Sequence, residues 1–365
     1  MKHLVRSIYA SIVYVILFAF DYLIAIAGGK QSGTVSFLSP GRALAKKLQF
    51  EFITRHFLDD SGRIRDDASV DRLCPVCSAG NSSYFCQSQD GFEYVICGNC
   101  SMIYTSKNLT PEAYEVFQDK LCESEKIWVS EREEDKSVDK RRFVSYIRYL
   151  KKYVRGRREL LDVGCFTGNF LECAKEAGFS PGGVEIHRDK AAIAASKGFP
   201  VACGDFEKLD IGEVYQVVTL WESLEHMNHP RLVVQKVQSI LSDGGIIAFT
   251  VPNGDALSVK VLNGHLMWLG GFGHKNLFTP SAAAYLLKDC GFELVELRTM
   301  EGPYIDAIIN YFQNRIESMD SFQNWDKLES GVHQPSGARL WGALISPIVE
   351  HYNMGDLLFV VGRKV

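Results

Sequence analysis

Glu159-Leu160-Leu161-Asp162-Val163-Gly164-Cys165-Phe166-Thr167-Gly168-Asn169-Phe170-Leu171 is the stretch that decides the fold. A short apolar run ends on an acidic residue, a turn with two glycines follows, and helical spacing begins at Asn169. Strand, glycine turn and helix in that order form the repeating unit of doubly wound sheets, whose ligands sit beyond the carboxyl ends of the strands. Gly164 and Gly168 let the backbone approach such a ligand closely. The pattern then recurs. A second strand, Gly183-Val184-Glu185-Ile186, places Glu185 17 positions after Gly168, where a carboxylate accepts bonds from ribose hydroxyls. A third strand ends at Gly204-Asp205-Phe206, with Asp205 a candidate for an adenine amino group and Phe206 for its ring face. Strand, turn and helix repeated in this way predict an α/β fold with a mostly parallel sheet covered by helices on both faces.

These residues resemble the class I S-adenosylmethionine (SAM)-dependent methyltransferases. Asp162, Gly164 and Gly168 match the family's first motif, acidic-x-G-x-G-x-G, and Phe166 replaces its middle glycine. That position lies beside the methionine part of the cofactor in the family, so the resemblance implies a pocket narrowed by Phe166. The likeness continues through Glu185 and Gly204-Asp205 to Val217–His226, which looks like the fourth strand with its Glu-His ending. It then takes in Asp243-Gly244-Gly245 before strand Ile246–Val251, His274–Thr279 before a helix, Gly291-Phe292 before a strand, and a last strand at 356–362. The implied fold is a Rossmann-like seven-stranded sheet over residues 159–365 with a helical insertion at 300–354. The implied cofactor is SAM, held by Asp162, Gly164, Phe166, Gly168, Glu185, Asp205, Phe206 and Trp221.

Two other functions compete. A dinucleotide site wants G-x-G-x-x-G, but Phe166 stands at the second glycine position and no Tyr-x-x-x-Lys pair is placed for hydride chemistry, which disfavours a nucleotide-sugar oxidoreductase. A degenerate scaffold that acts as an adaptor is the reading Phe166 motivates. For methyl transfer to a hydroxyl, a base near the acceptor proton is needed beyond the strand ends. His226 is the leading candidate, with Glu222 and Glu225 beside it and His274 in a later loop. The bland readings are that Glu225 and His226 only order the turn before Pro230 and that Trp221 is core.

Upstream lie Cys74-Pro75-Val76-Cys77 and Cys97-Gly98-Asn99-Cys100, nineteen residues apart. Each C-x-x-C makes a knuckle of converging thiolates, and two knuckles complete a tetrahedron around Zn²⁺. With β-type residues between them, residues 72–106 read as a zinc ribbon. Four sulfurs leave no open position, so the zinc is expected to be structural. The module is similar to that of methyltransferases in carbohydrate and cell-surface glycan pathways. A charged helical linker is expected over 107–158.

The 365 residues carry 40 Lys and Arg against 44 Asp and Glu, a net charge of −4, so no basic excess favours nucleic acid. Hydrophobic residues make up 46% of the chain, which excludes global disorder. Ten cysteines without a secreted pairing pattern point to a reducing compartment. Residues 8–27 hold a single charge, Asp21, and as a helix would span about 30 Å, the thickness of a bilayer core. A membrane-associated helix on the cytoplasmic face is the favoured reading; a packed helix and a cleaved signal are the others. In residues 42–58, Leu44, Leu48 and Phe52 form an apolar stripe, for a membrane surface or a core. The expected acceptor is a small molecule, a sugar hydroxyl or a lipid-linked glycan, with a quinone or lipid-like acceptor next. The aromatic-rich insertion at 300–354 is a candidate for capping the acceptor pocket or for self-association.

Overall fold

The computed structural model describes residues 40–118, 129–130, 136–156, 158–266, 268–300 and 352–365. Helix α1 (Pro40–Phe57) leads into a small β region: β1 (Ser69–Asp71), β2 (Ser82–Gln87), β3 (Glu93–Cys97), β4 (Ile103–Thr105) and β5 (Lys107–Leu109). Helix α2 (Ser137–Leu150) precedes the alternating core. That core runs β6 (Glu159–Val163), α3 (Asn169–Glu176), β7 (Ser180–Glu185), α4 (Arg188–Ser196), β8 (Val201–Cys203), β9 (Tyr215–Trp221), α5 (Pro230–Ile240) and β10 (Leu241–Pro252). After α6 (Leu257–Leu262) come β11 (Asn276–Leu277), α7 (Pro280–Asp289), β12 (Phe292–Met300) and β13 (Leu357–Lys364).

Seven strands form the main sheet in the order β12-β13-β10-β9-β6-β7-β8. β6 pairs in parallel with both β7 and β9, whereas β13 runs antiparallel to β10 and β12. The expected mostly parallel seven-stranded α/β sheet is therefore present. Successive side chains on a strand point to opposite faces, and the sequence uses both. Leu161, Val218, Leu220, Phe249 and Val360 pack on one face under α5 and α7, through Val233, Val237, Leu286 and Leu287. Leu160, Val217, Trp221 and Phe359 pack on the other, under α2 and α3, through Tyr146, Leu150 and Phe170. Two helix starts are set by local chemistry. Pro230 occupies the first turn of α5, and α7 follows Thr279, whose Oγ1 accepts from the Ala282 N–H at 3.1 Å.

The chain runs outward from β6 to β8, then returns to the other side of β6 to make β9. This reversal puts the topological switch of the sheet between β6 and β9, the place where open α/β sheets bind ligands.

The cysteine module is joined to this domain rather than tethered to it. β2, β3 and β4 form a meander, and β11, from far along the chain, adds antiparallel to β4 through Asn276–Tyr104 and Leu277–Ile103. Tyr94, Tyr104, Phe92 and Met102 are fully buried there.

Two expectations change. Helix α2, expected within a linker, buries Tyr146, Ile147 and Leu150 against the sheet and belongs to its core. In α1, among the side chains described, Ile53 and Phe57 are buried, Phe52 is half-buried against them and Leu48 is exposed; Phe57 meets Phe272 and Phe117 edge-on, so of the expected stripe Phe52 faces the core and Leu48 does not. Among the described residues no helix is long and apolar enough to cross a membrane. Residues 8–27, and the insertion over 301–351, lie outside the described residues.

Candidate active site

The switch point has two sides. On the first, the turn after β6 runs through left-handed backbone at Gly164 (φ +82°), Phe166 (φ +50°) and Gly168 (φ +83°). Glycine suits such angles, and a side chain at Gly164 would also collide: its Cβ would lie 2.4 Å from Ser223 Oγ. Phe166 holds the same region without that freedom, at roughly 1–2 kcal/mol of strain. Its compensation is visible. The Phe166 N–H donates to Glu185 Oε2 at 2.9 Å, and the Lys190 ammonium stands 5.0 Å from its ring centroid.

Two buried carboxylates face this turn. Asp162 is 2% exposed and lies opposite Thr219 in the β6–β9 register, where the Thr219 hydroxyl donates to it at 2.6 Å. Burial, then the neighbouring Glu185 charge, pushes the Asp162 carboxyl up to about 7 despite that bond. Glu185, at the end of β7, accepts from the Phe166 and His187 N–H groups, both at 2.9 Å. Each of its oxygens keeps a second lone pair for a ligand hydroxyl. Asp205, past β8, accepts from the Glu207 N–H at 3.0 Å and pairs with Lys208 at 3.3 Å.

Two expected cofactor contacts lie elsewhere. The Phe206 side chain is buried with the core under α5, the Lys236 ammonium 4.9 Å from its ring centroid. Trp221 stacks on Phe359 at 5.9 Å and packs against Tyr146 and Phe170. Both rings are apolar enough to be drawn into the helix–sheet layers, which places them in the core rather than as open platforms.

The second side of the switch point is the short helical turn Leu224–His226 after β9. Of the four catalytic candidates, the structure gathers Glu225, His226 and His274 and sets Glu222 apart. Glu222, in left-handed backbone at φ +50°, is ion-paired with Arg142 of α2. The His226 and His274 rings lie 4.9 Å apart. His226 Nδ1 is 3.0 Å from the Gly273 carbonyl oxygen, so Nδ1 carries a proton and donates it. His226 Nε2 stands 4.0 Å from Glu225 Oε1. Glu225 is 1% exposed, and its Oε2 has no hydrogen-bond partner among the described residues. Burial pushes its carboxyl up to about 8.

What holds this second side in place was not singled out in the sequence. Asn276 is fully buried, and its Nδ2 donates to the Met227 carbonyl at 2.7 Å and the Glu225 carbonyl at 3.3 Å. Arg72, two residues before the first knuckle, donates to Asn276 Oδ1 at 3.0 Å, and the Tyr94 hydroxyl donates to the His274 carbonyl at 2.6 Å. Asn276 sits inside the His274–Thr279 stretch, yet its role rests on contacts about 50 and 200 positions away, which no local pattern reveals.

In the cysteine module, Cys74 Sγ and Cys100 Sγ are 3.5 Å apart, as are Cys77 Sγ and Cys97 Sγ. These distances are far too long for disulfides. They approach the roughly 3.8 Å that a tetrahedron of 2.3 Å Zn–S bonds requires. The hydrogen bond with Cys100 lowers the Cys74 thiol to about 5, the direction that favours a metal-binding thiolate.

Residues 136–297 match the family described as a methyltransferase domain. Over those residues the chain carries a methyltransferase domain. It is 26% identical to the ubiquinone biosynthesis O-methyltransferase of Bordetella avium over 172 residues, covering 43% of this chain and 71% of that protein. For the enzyme of the same name from Ralstonia nicotianae the identity is 24%, covering 42% and 74%. A crystal structure of a SAM-dependent methyltransferase from Archaeoglobus fulgidus covers 62% of this chain and 94% of its own, at 20% identity and a TM-score of 0.43. The match begins at residue 136, one position before α2, in keeping with the place of that helix in the core.

Proposed function

We propose that this methyltransferase acts on a hydroxyl oxygen of a small-molecule acceptor, with His226 as the base that takes the hydroxyl proton. The observation that carries the reading is the His226 imidazole, its Nδ1–H committed to the Gly273 carbonyl and its Nε2 turned to Glu225, at the topological switch of the sheet. SAM supplies an electrophilic methyl group, and its transfer needs little covalent help from the protein. The cofactor fits the first side of the switch point. Glu185 suits the ribose hydroxyls, Asp205 the adenine amino group, and Gly164–Gly168 the close approach of backbone. Asp162, a buried carboxyl near its titration point, suits a neighbouring ammonium.

In this reading the acceptor hydroxyl gives its proton to His226 Nε2, which stands beside the buried Glu225 carboxyl. Such general-base help is worth roughly 10²–10⁴-fold. Cys74, Cys77, Cys97 and Cys100 hold a structural Zn²⁺, and the ribbon so formed carries β11 and Asn276 against the turn at Leu224–His226. The acceptor is a sugar or glycan hydroxyl or a quinol. The two curated relatives, named for ubiquinone O-methylation, favour keeping the quinol beside the sugar classes.

The test is incubation with labelled SAM and acceptors of each class, followed by mass analysis for an added methyl. His226→Ala is expected to cut turnover at least tenfold while leaving affinity for S-adenosylhomocysteine unchanged. Unchanged turnover would remove His226 as the base.

A further inference from the structure

We infer that Glu225, His226 and His274 form a binding site for one divalent transition-metal ion, in addition to the cysteine set. The inference deepens the reading of the acceptor side and rests on it for the role of the ion, but not for its binding. The three side chains each bring one ligand atom, and these atoms all lie within 4.8 Å of one another. Two imidazoles and one carboxylate are a mixed nitrogen–oxygen set that suits Zn²⁺, Fe²⁺, Co²⁺ or Ni²⁺ better than Mg²⁺ or Ca²⁺, which prefer all-oxygen shells.

Three features go beyond proximity. First, Glu225 is 1% exposed and its Oε2 lacks a hydrogen-bond partner among the described residues. A buried carboxylate oxygen left so is costly, and a cation is the group that relieves it most. Second, the Nδ1–H of His226 is held by the Gly273 carbonyl at 3.0 Å, which is the outer-shell bond that orients metal-binding imidazoles and directs Nε2 to the ion. Third, both histidines are anchored through the backbone. The His274 carbonyl accepts from Tyr94, and the turn carrying Glu225 and His226 is tied by Asn276. Ligand atoms about 2.1 Å from a common centre lie roughly 3.4 Å apart in a tetrahedron, so from separations of up to 4.8 Å binding draws the 224–226 turn and the 273–274 loop together by up to about 1.4 Å.

Three protein ligands leave at least one position open, as in metal sites that act on a bound substrate. An acceptor hydroxyl coordinated there loses its proton to solvent more readily and remains on the ion as the oxyanion. In that state His226 Nε2 is a ligand rather than the base, so the ion and the metal-free base are distinct routes through the same residues.

The test uses the full chain with its cysteine site filled by one equivalent of zinc. Co²⁺ is then titrated and followed by absorption. One further Co²⁺ per chain is expected, with weak ligand-field bands and without the intense charge-transfer bands of cobalt thiolate. His274→Ala and Glu225→Gln should each weaken Co²⁺ binding at least tenfold, while Glu222→Gln, which alters the partner of Arg142, should not. Unchanged S-adenosylhomocysteine affinity and melting temperature certify that the variants fold. Absence of Co²⁺ binding at millimolar concentration, or binding that survives in both variants, overturns the site. If Co²⁺ does not bind but His226→Ala still abolishes turnover, the cation fails and the metal-free base stands. If Co²⁺ binds as expected but no acceptor is methylated, the site stands and the reading of the acceptor fails.

Discussion

The two sides of the switch point are built by opposite means. The proposed cofactor side comprises one contiguous stretch, Asp162–Gly168, completed by Glu185 about twenty positions on, and its bonds join strand neighbours. The proposed acceptor side comprises Glu225, His226 and His274, which are held by Asn276, Tyr94 and Arg72 across as many as 204 positions of chain. One side is a local motif on the sheet; the other is tied to the cysteine module, through the pairing of β11 with β4. Damage to the module should therefore fall on the acceptor side first.

The largest effect is expected from Cys100→Ser. Three thiolates no longer close the tetrahedron, the meander loses its staple, and β11 loses its partner strand. Turnover should fall more than a hundredfold in the protein that remains soluble, with zinc content near zero. If affinity for S-adenosylhomocysteine falls to the same extent, the two sides are not separable as described.

A smaller and cleaner effect is expected from Asn276→Ala. The change strips donors from the Glu225 and Met227 carbonyls, which should cost about 1–3 kcal/mol of stability. It should lower kcat by about tenfold while leaving zinc content and cofactor affinity as they were. An unchanged kcat would mean that the turn keeps its shape without this residue.

The smallest effect concerns the cofactor side. Burial raises the folded-state value for Asp162 to about 7, from an ordinary 3.8. The folded chain thus holds this proton more tightly than the unfolded chain does. Its contribution to stability is fully present below about pH 4 and is lost as pH rises through 7. Asp162→Asn should therefore flatten the fall in melting temperature between pH 5 and pH 8. A slope identical to that of the unaltered protein would assign the pH dependence to other groups.

The same contrast explains what the sequence made legible. The placement of Asp162, Gly164, Gly168, Glu185 and Asp205 at strand ends and turns was readable because such ends and glycine turns have local signatures. The four cysteines were readable because knuckle spacing is stiff. Phe206 and Trp221 were read as cofactor contacts from their place after a strand. Yet a large ring beside a helix–sheet layer is drawn into it, and both side chains are core. Glu222 and Glu225 stand three positions apart and look alike in sequence, but one turns to Arg142 and the other into the protein. Helix α2 looked like a linker because its charged residues mask a buried face made by Tyr146, Ile147 and Leu150. Asn276, Tyr94 and Arg72 carry no signature because their partners are distant in the chain.

The central claim is that the turn after β6 holds the cofactor in spite of the benzyl group at Phe166. Calorimetric titration of the zinc-loaded protein with S-adenosylhomocysteine tests this most directly. Saturable binding at one site per chain is expected, weakened at least tenfold by Glu185→Ala. No measurable binding at millimolar ligand, or binding indifferent to Glu185→Ala, would contradict it.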